Sequence, residues 1–204
     1  MEDVLDVYER PYDPAFPVVC LDETSKQLVE HVKAPVAPNS GQGRRVDDEY
    51  KRCGTANIFL ATEPLRGKTI LEATERRTAV DFAHFVKEVL DAYPRATRVV
   101  LVMDNLNTHT AASFYEAFPP KQARRMTERL EIHYTPKHGS WLNVAEIQLS
   151  VLARQCLDRR IASLRKLRRE LTAWQTARKN TPVAWQFTTD KARVKLQRLY
   201  PSTQ

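Results

Sequence analysis

The chain contains 204 residues, of which 42% are hydrophobic and 28% are charged, and its formal net charge is +7. This length suits one packed domain, and the composition excludes wholesale disorder. No apolar run approaches the length of a membrane span, and the acidic, polar start does not resemble a signal peptide. The three cysteines are scattered and lack the spacing of a disulfide framework or a zinc site, which predicts a protein of the reducing cytoplasm.

The first third of the chain is predicted to form an arm followed by strands. Three prolines occur up to Pro17, so residues 1–16 are interpreted as a linker or arm. Residues 34–52 are rich in Pro, Gly, Asn, Ser and mixed charges, which is typical of a loop. Apolar, β-prone runs predict three strands: Val18–Asp22 with residues 26–33 as its extended neighbour, Thr55–Ala61 and Thr69–Ala73.

The middle of the chain alternates between helices and strands. Thr78 and Asp81 have capping-box spacing and open a helix with a single apolar stripe. The continuously apolar run Arg98–Met103 then predicts a strand buried on both faces. Helical residues fill 111–130, apart from a double proline, and a brief strand is predicted at Glu131–Tyr134.

The last part of the chain is helical and basic. Ser140–Cys156 predicts a largely buried helix, because apolar residues cover more than one of its sides, and another helix is predicted from Ser163. From Arg154 onward the chain has 13 Lys or Arg residues against 3 Asp or Glu. Such a surface suits a polyanion, although a solvated helix face explains it equally well.

Taken in chain order, these elements predict an α/β fold. Five strands would form a mixed sheet, antiparallel at its start and parallel later, with helices on both faces. The strands that precede Asp22 and Asp104 are the expected central neighbours. Both aspartates should therefore emerge together at one end of the sheet.

Three acidic residues carry the functional prediction. Asp22 and Asp104 each follow an apolar strand, and Glu146 lies about two turns into an otherwise apolar helix. Two carboxylates on strand ends and one on a facing helix are a common way to hold Mg²⁺ for cutting phosphodiester bonds. Asn143 shares one face of that helix with Glu146, and a buried carboxylate there needs a cation, a donor or solvent.

Each acid also has a simpler explanation. An aspartate such as Asp104 often caps the next helix, and Asp22 can be a strand-end acid stabilised by Lys26. Glu23 is a possible substitute for Asp22, but adjacent strand residues face opposite ways, so one of the two at most should point at a given site. Potential partners for Glu146 are nearby cationic residues, namely Lys137, His138 and Arg154.

Polar residues around these acids are predicted to support them from outside the metal site. Asn105 and His109 follow Asp104 directly, and His138 precedes the helix that bears Glu146. Either histidine would contact a phosphate or orient a ligand, while a packing or capping role is the alternative. Asn143 completes this predicted supporting set.

The segments CLDET, VLVMDNLNTHT and YTPKHGSWLNVAEIQLS resemble the catalytic domain of bacterial insertion-sequence transposases in the mariner superfamily. That domain is the DDE superfamily endonuclease, and the resemblance runs from about Pro17 to the C-terminal tail. It implies a ribonuclease-H-like fold, a catalytic domain at 17–157, and a basic helix and tail packed on it at 158–204.

The resemblance also implies the chemistry. Asp22, Asp104 and Glu146 correspond to the three catalytic acids, which would bind two Mg²⁺ or Mn²⁺ ions, and the same site would cut the transposon end and join it to target DNA. Candidates for phosphate contacts are four arginines: Arg165, Arg168, Arg169 and Arg178. The expected setting is the bacterial cytoplasm, at the nucleoid, with DNA as partner, a possible homodimer and no membrane.

Two departures from the family pattern stand out. Forty-one residues lie between Asp104 and Glu146, more than is typical, and Ser113–Arg129 is interpreted as an inserted helical piece. Only 21 residues precede Asp22, fewer than a helix-turn-helix module needs. The alternatives are a truncated copy, the downstream half of a frameshifted pair, or reliance on an upstream helix-turn-helix polypeptide. A ribonuclease-H-like nuclease without joining activity and a catalytically idle DNA-binding remnant are the competing functions.

Overall fold

The computed structural model describes residues 1–33, 48–106, 109–137, 139–178 and 181–200. The predicted loop at 34–52 therefore falls mostly outside the described residues, as does His138. The main elements in chain order are α1 (Glu2–Glu9), β1 (Val18–His31), β2 (Tyr50–Glu63), β3 (Lys68–Thr74), α2 (Ala79–Asp91), β4 (Val99–Met103), α3 (Ala111–Ala117), α4 (Pro120–Glu128), β5 (Leu130–Tyr134), α5 (Val144–Leu152), α6 (Leu164–Ala177) and α7 (Thr189–Lys195). Short helical turns occur at Ser140–Leu142, Ala153–Leu157 and Gln197–Leu199.

The five strands form one mixed sheet in the order β3-β2-β1-β4-β5. The first three strands pair antiparallel, and β4 joins β1 in parallel before β5 joins β4, also in parallel. The predicted antiparallel beginning and parallel continuation are confirmed. So is the expectation that the strands preceding Asp22 and Asp104 are direct neighbours.

Two hydrophobic cores lie on the two faces of the sheet. On one face, α2, α3 and α4 pack through residues such as Phe82 and Phe114 against Val19 and Leu21 of β1. On the other face, α1, α5 and α6 pack against a set that includes Cys20. All five residues of β4 are buried, which confirms a strand covered on both faces.

Helix α2 begins where its sequence predicts. The Thr78 hydroxyl accepts from the Asp81 backbone N–H, and the Asp81 carboxylate accepts from the Thr78 backbone N–H, at 3.2 and 2.8 Å. Each of these bonds satisfies a donor that would otherwise be exposed at the helix end. The capping box therefore fixes the start of the helix that covers the Leu21 face of β1.

The N-terminal residues differ from the predicted linker or arm, because Glu2–Glu9 form helix α1. Val4 and Leu5 are fully buried in the core beneath α5, while acidic residues occupy the helix's outer side. Helix α7 secures α1 from outside, since the Arg193 guanidinium donates to both Glu2 carboxylate oxygens at 2.8 and 2.9 Å. The sequence does not predict this helix, because its apolar stripe is short and is surrounded by acidic residues and followed by prolines.

Helix α6 crosses the edge strand β3 on the α5 face of the sheet. Leu167, Leu171 and Trp174 form its buried stripe. The Arg168 Nε atom donates to the backbone oxygen of Ala73 at 3.0 Å, which fixes the helix along the strand. None of the helices in the described part of the chain has the length and apolar composition needed to span a bilayer.

Candidate active site

Strands β1 and β4 bring Asp22 and Asp104 to the same level of the sheet. In the parallel pairing, Cys20 lies opposite Val102, and each aspartate follows two residues later. The prediction that Asp22 ends a strand is wrong, because β1 continues to His31 and pairs with β2, whereas β4 ends at Met103. Asp104 therefore lies at an open strand end directly beside the middle of β1.

The alternation of side chains along β1 separates Asp22 from Glu23. Cys20 packs in the core on the α5 face and Leu21 in the core on the α2 face. Because side chains alternate along a strand, Asp22 faces α5 and Glu23 faces α2. This agrees with the prediction that at most one of the two carboxylates points at a given site. Asp22 is the one that lies on the side of α5.

Helix α5 supplies the third acid from the same face. The Asn143 side chain caps this helix by accepting from the Ala145 backbone N–H at 3.1 Å, and its Nδ2 donates to the backbone oxygen of Leu21 at 2.8 Å. Asn143 thus ties the start of α5 to the residue before Asp22. Glu146 is half-buried in the first turn of α5, where the positive end of the helix dipole favours a carboxylate.

Burial and three neighbouring negative charges act on the carboxyl group of Asp22. Burial raises the pKa of Asp22, the hydrogen bond from the Glu23 backbone N–H opposes this, and the charges of Glu23, Asp104 and Glu146 raise it further, to about 7. The same carboxylate oxygen accepts that N–H at 2.8 Å. Mutual repulsion of this kind calls for a cation, and carboxylate oxygens are the ligands that Mg²⁺ and Mn²⁺ take in proteins. The residues present therefore fit a divalent metal site.

Asp104 has a second set of neighbours on its other side. Its Oδ1 lies 2.7 Å from Nδ1 of His109, whose ring is fully buried. His109 Nε2 lies 3.2 Å from Oε2 of Glu23, an ion-pair contact whose geometry is not that of a hydrogen bond. Arg77 then contacts the other Glu23 oxygen at 3.2 Å. Burial lowers the pKa of His109, but the Asp104 and Glu23 carboxylates outweigh it and raise the pKa to about 9.

Among the described residues, the acids and histidine whose ligand atoms all lie within 4.8 Å of one another are Glu23, Asp104 and His109. However, each His109 nitrogen already faces a different carboxylate. The arrangement is therefore a row of ion-pair contacts that runs from Glu23 through the buried His109 ring to Asp104.

Of the residues predicted to support the metal site, two contact its elements and one is exposed to solvent. His109 and Asn143 contact Asp104 and β1, as described above. Asn105 is exposed directly after Asp104. The sequence indicates Glu23 only as a substitute for Asp22, and no sequence pattern indicates Arg77. The adjacent acids of the Asp-Glu pair were the only sequence signal for this part of the site.

The four predicted DNA-contacting arginines lie along or just beyond α6, and two of them are occupied by the protein itself. Arg168 donates to β3, and Arg178 lies over the Trp174 ring, 5.2 Å from its centroid. Arg169 is exposed, and its guanidinium lies 3.7 Å from the carboxylate of the adjacent Glu170. Arg165 is exposed. Arg165 and Arg169 are therefore the better placed of the four for an external anion.

Comparisons with known proteins agree with this arrangement. A family model described as DDE superfamily endonuclease matches residues 17–168. The crystal structure of the Mos1 mariner paired end complex with Mn is 19% identical, with a TM-score of 0.58 over 88% of this chain and 53% of that chain. The Mos1 strand transfer complex is also 19% identical, with a TM-score of 0.59 over 88% of this chain and 52% of that one.

These likenesses confirm the predicted ribonuclease-H-like mixed sheet flanked by helices. The chain spans about half the length of the mariner chains that it matches. No curated protein matches it.

Proposed function

Because the chain belongs to the DDE superfamily of endonucleases, we propose that it cuts DNA strands at transposon ends and joins them to target DNA, using Asp22, Asp104 and Glu146. The observation that carries this proposal is the arrangement of the elements that bear the three acids: β1 and β4 pair in parallel next to Asp22 and Asp104, and Asn143 joins the start of α5 to Leu21. It is supported by the raised pKa of Asp22, which reflects burial and the charges of Asp104 and Glu146.

Asp22, Asp104 and Glu146 would hold the catalytic metal, with two Mg²⁺ or Mn²⁺ ions expected. Such ions would activate an attacking water or DNA 3′-hydroxyl and stabilise the leaving oxygen. The chain's own contribution is placement: β1 and β4 fix two of the carboxylates at one level, and Asn143 fixes the helix that carries the third. Fixed ligand geometry matters because small displacements of reacting groups cost large factors in rate.

The proposed substrate is DNA, and the basic C-terminal part of the chain supports that choice. Its Lys and Arg residues outnumber its acids, and Arg165 and Arg169 are available for phosphate contacts. Recognition of the transposon ends by a helix-turn-helix polypeptide, and a homodimer during the reaction, remain proposals drawn from the family resemblance. The expected place of action is the bacterial cytoplasm, on nucleoid DNA.

The test is a metal-dependent nicking and joining assay. The substrate is DNA that carries the ends of the encoding element, with Mg²⁺ or Mn²⁺ added to the full chain and to an Asp104→Ala variant. We expect cleavage and joining by the wild type and a loss of at least about 100-fold in the variant, because several kcal/mol of charge stabilisation depends on the metal site. Asp91→Asn, which alters an exposed acid paired with Lys87, is the matched control and should retain activity.

The outcomes separate the competing functions. Cleavage without joining would favour a ribonuclease-H-like nuclease. No metal-dependent cleavage by the wild type would favour an idle DNA-binding remnant. Equal activity of the wild type and Asp104→Ala would refute the assignment of the site.

A further inference from the structure

Glu23 occupies an environment unlike that of Asp22, although the two are adjacent in sequence. Its side chain is only 2% exposed and lies on the α2 face of β1. Arg77 contacts one carboxylate oxygen from the loop before α2, and His109 contacts the other, both at 3.2 Å. A carboxylate buried to this degree is retained at a considerable desolvation cost, and partners of opposite charge offset it.

His109 connects Glu23 to Asp104 through a ring that is held on every side. Its ring stacks on Phe82 with centroids 4.5 Å apart and an interplanar angle of 27°. Its Nδ1 contacts Asp104 at 2.7 Å, and its backbone oxygen accepts from the Tyr134 hydroxyl at 3.1 Å. The ring therefore has little freedom to rotate between the Glu23 and Asp104 carboxylates.

We propose that Glu23, held by Arg77, positions the Asp104 carboxylate through the His109 ring and thereby sets the metal affinity of the site. This inference rests on the proposed function, because it treats Asp104 as a metal ligand. Groups hydrogen-bonded behind a metal ligand commonly orient it, and their loss weakens metal binding by about 10- to 100-fold. The two acids of β1 would thus divide the work: Asp22 binds metal from the α5 face, and Glu23 positions the neighbouring ligand from the α2 face.

A metal ion held directly by Glu23, Asp104 and His109 is the competing interpretation, since their ligand atoms lie within 4.8 Å of one another. The contacts favour positioning. A metal would have to displace one of the carboxylates that face the two His109 nitrogens, in a ring that is already fully buried.

The test measures Mn²⁺ binding to the full chain by titration calorimetry, without DNA. Glu23→Gln should raise the Mn²⁺ dissociation constant about 10-fold and leave the number of bound ions unchanged. His109→Gln should raise it at least as much. The double variant should match His109→Gln alone, because Glu23 acts through His109 and the two effects should not add. Glu30→Gln, at an exposed acid near the far end of the same strand, should bind Mn²⁺ as the wild type does.

A merely structural role for Glu23 would lower the melting temperature without this non-additive change in affinity, so thermal unfolding is recorded for each variant. Arg77→Gln removes the other ion-pair partner of Glu23, which is partly exposed, and should give a smaller rise in the Mn²⁺ dissociation constant. It therefore carries the same test if Glu23→Gln does not fold.

Wild-type affinity in a folded Glu23→Gln, or in Arg77→Gln where Glu23→Gln does not fold, would overturn the positioning role, as would additive effects in the double variant. Loss of one bound ion in Glu23→Gln would overturn it in favour of direct ligation. Absence of Mn²⁺ binding by the wild type, or full binding by Asp104→Ala, would instead count against the proposed function itself.

Discussion

Asp22 is the residue at which function and stability oppose each other most clearly. A metal ligand must carry its negative charge, yet burial and the charges of Glu23, Asp104 and Glu146 disfavour the charged form and raise its pKa to about 7. The unfolded chain has no such neighbours, so there the carboxyl ionises near its ordinary value. The metal site is therefore expected to reduce the stability of the metal-free protein.

The sign of this effect predicts how Asp22→Asn depends on pH. Between about pH 4 and pH 7 the folded state binds more protons at Asp22 than the unfolded state, so the destabilisation grows with pH through this range and is complete above pH 7. In metal-free buffer, Asp22→Asn should raise the melting temperature by several degrees at pH 8 and change it little at pH 4. Thermal unfolding from pH 4 to 8.5 measures this. An equal gain at both ends of the range would contradict a raised pKa of Asp22 in the folded protein.

The same site shows what a sequence can reveal about individual residues. Asp22 and Asp104 each follow an apolar run of sequence, and Glu146 is a polar position in an apolar helix, so local patterns single out all three. Arg77 has no such pattern, because its contact with Glu23 spans 54 residues and forms only when the loop before α2 meets β1. Contacts between distant segments that lack periodicity are the part of the site that sequence reasoning did not reach.

At the scale of elements, strong periodicity and strong caps are predictable from the sequence, whereas the short terminal helices α1 and α7 are not. The capping box of α2, the buried strand β4 and the Ser163 cap of α6 lie where the sequence predicts them. Helix α1 has eight residues and α7 has seven, and both lack a long apolar stripe. Isolated helices of this length are marginal, so these two depend on packing against the body of the protein.

Asn143 joins an element to the site, and Asn143→Ala should affect both stability and metal binding. The variant loses a helix cap, at roughly 1 kcal/mol, and a hydrogen bond to Leu21 that contributes about 1 kcal/mol more. Urea unfolding measures the loss of stability, and Mn²⁺ titration should show weaker binding because Glu146 lies in the first turn of α5. Ser163→Ala removes a comparable cap from α6 and should lower stability alone. Wild-type Mn²⁺ affinity in Asn143→Ala would show that the cap does not position Glu146.

Considered as a whole, the molecule concentrates its positive charge in the C-terminal part of its sequence, after the three acids of the candidate site. This separation was visible in the sequence, but the availability of each arginine was not. Arg168 and Arg178 are partly committed to Ala73 and Trp174, contacts that depend on how α6 packs on the sheet. Charge counts therefore predict a basic C-terminal part, but only the packing of α6 shows which of its arginines are free to contact DNA.

This distinction predicts unequal effects on DNA affinity. Arg165→Ala and Arg169→Ala should each weaken binding and reduce the slope of log affinity against log salt concentration by about 1, with little loss of stability. Arg168→Ala should lower the free energy of unfolding, because its bond to the Ala73 backbone is lost. Affinity for a non-specific duplex over a range of KCl concentrations measures the first effect, and urea unfolding the second. Unchanged salt slopes for both exposed arginines would mean that DNA binds elsewhere.

The alternation of Asp22 and Glu23 on β1 makes the length of this strand as important as its composition. At Cys20 strand β1 is paired on both sides, with β2 and with β4, so an extra residue there would break one of these two pairings. Inserting or deleting one residue between Val18 and Leu21 would exchange the faces of the two acids and turn the metal ligand toward His109. The site thus depends on the number of residues that precede Asp22 in the strand. Substitutions near the site can reduce its function by degrees, but a one-residue change in length moves Asp22 to the opposite face of the sheet altogether.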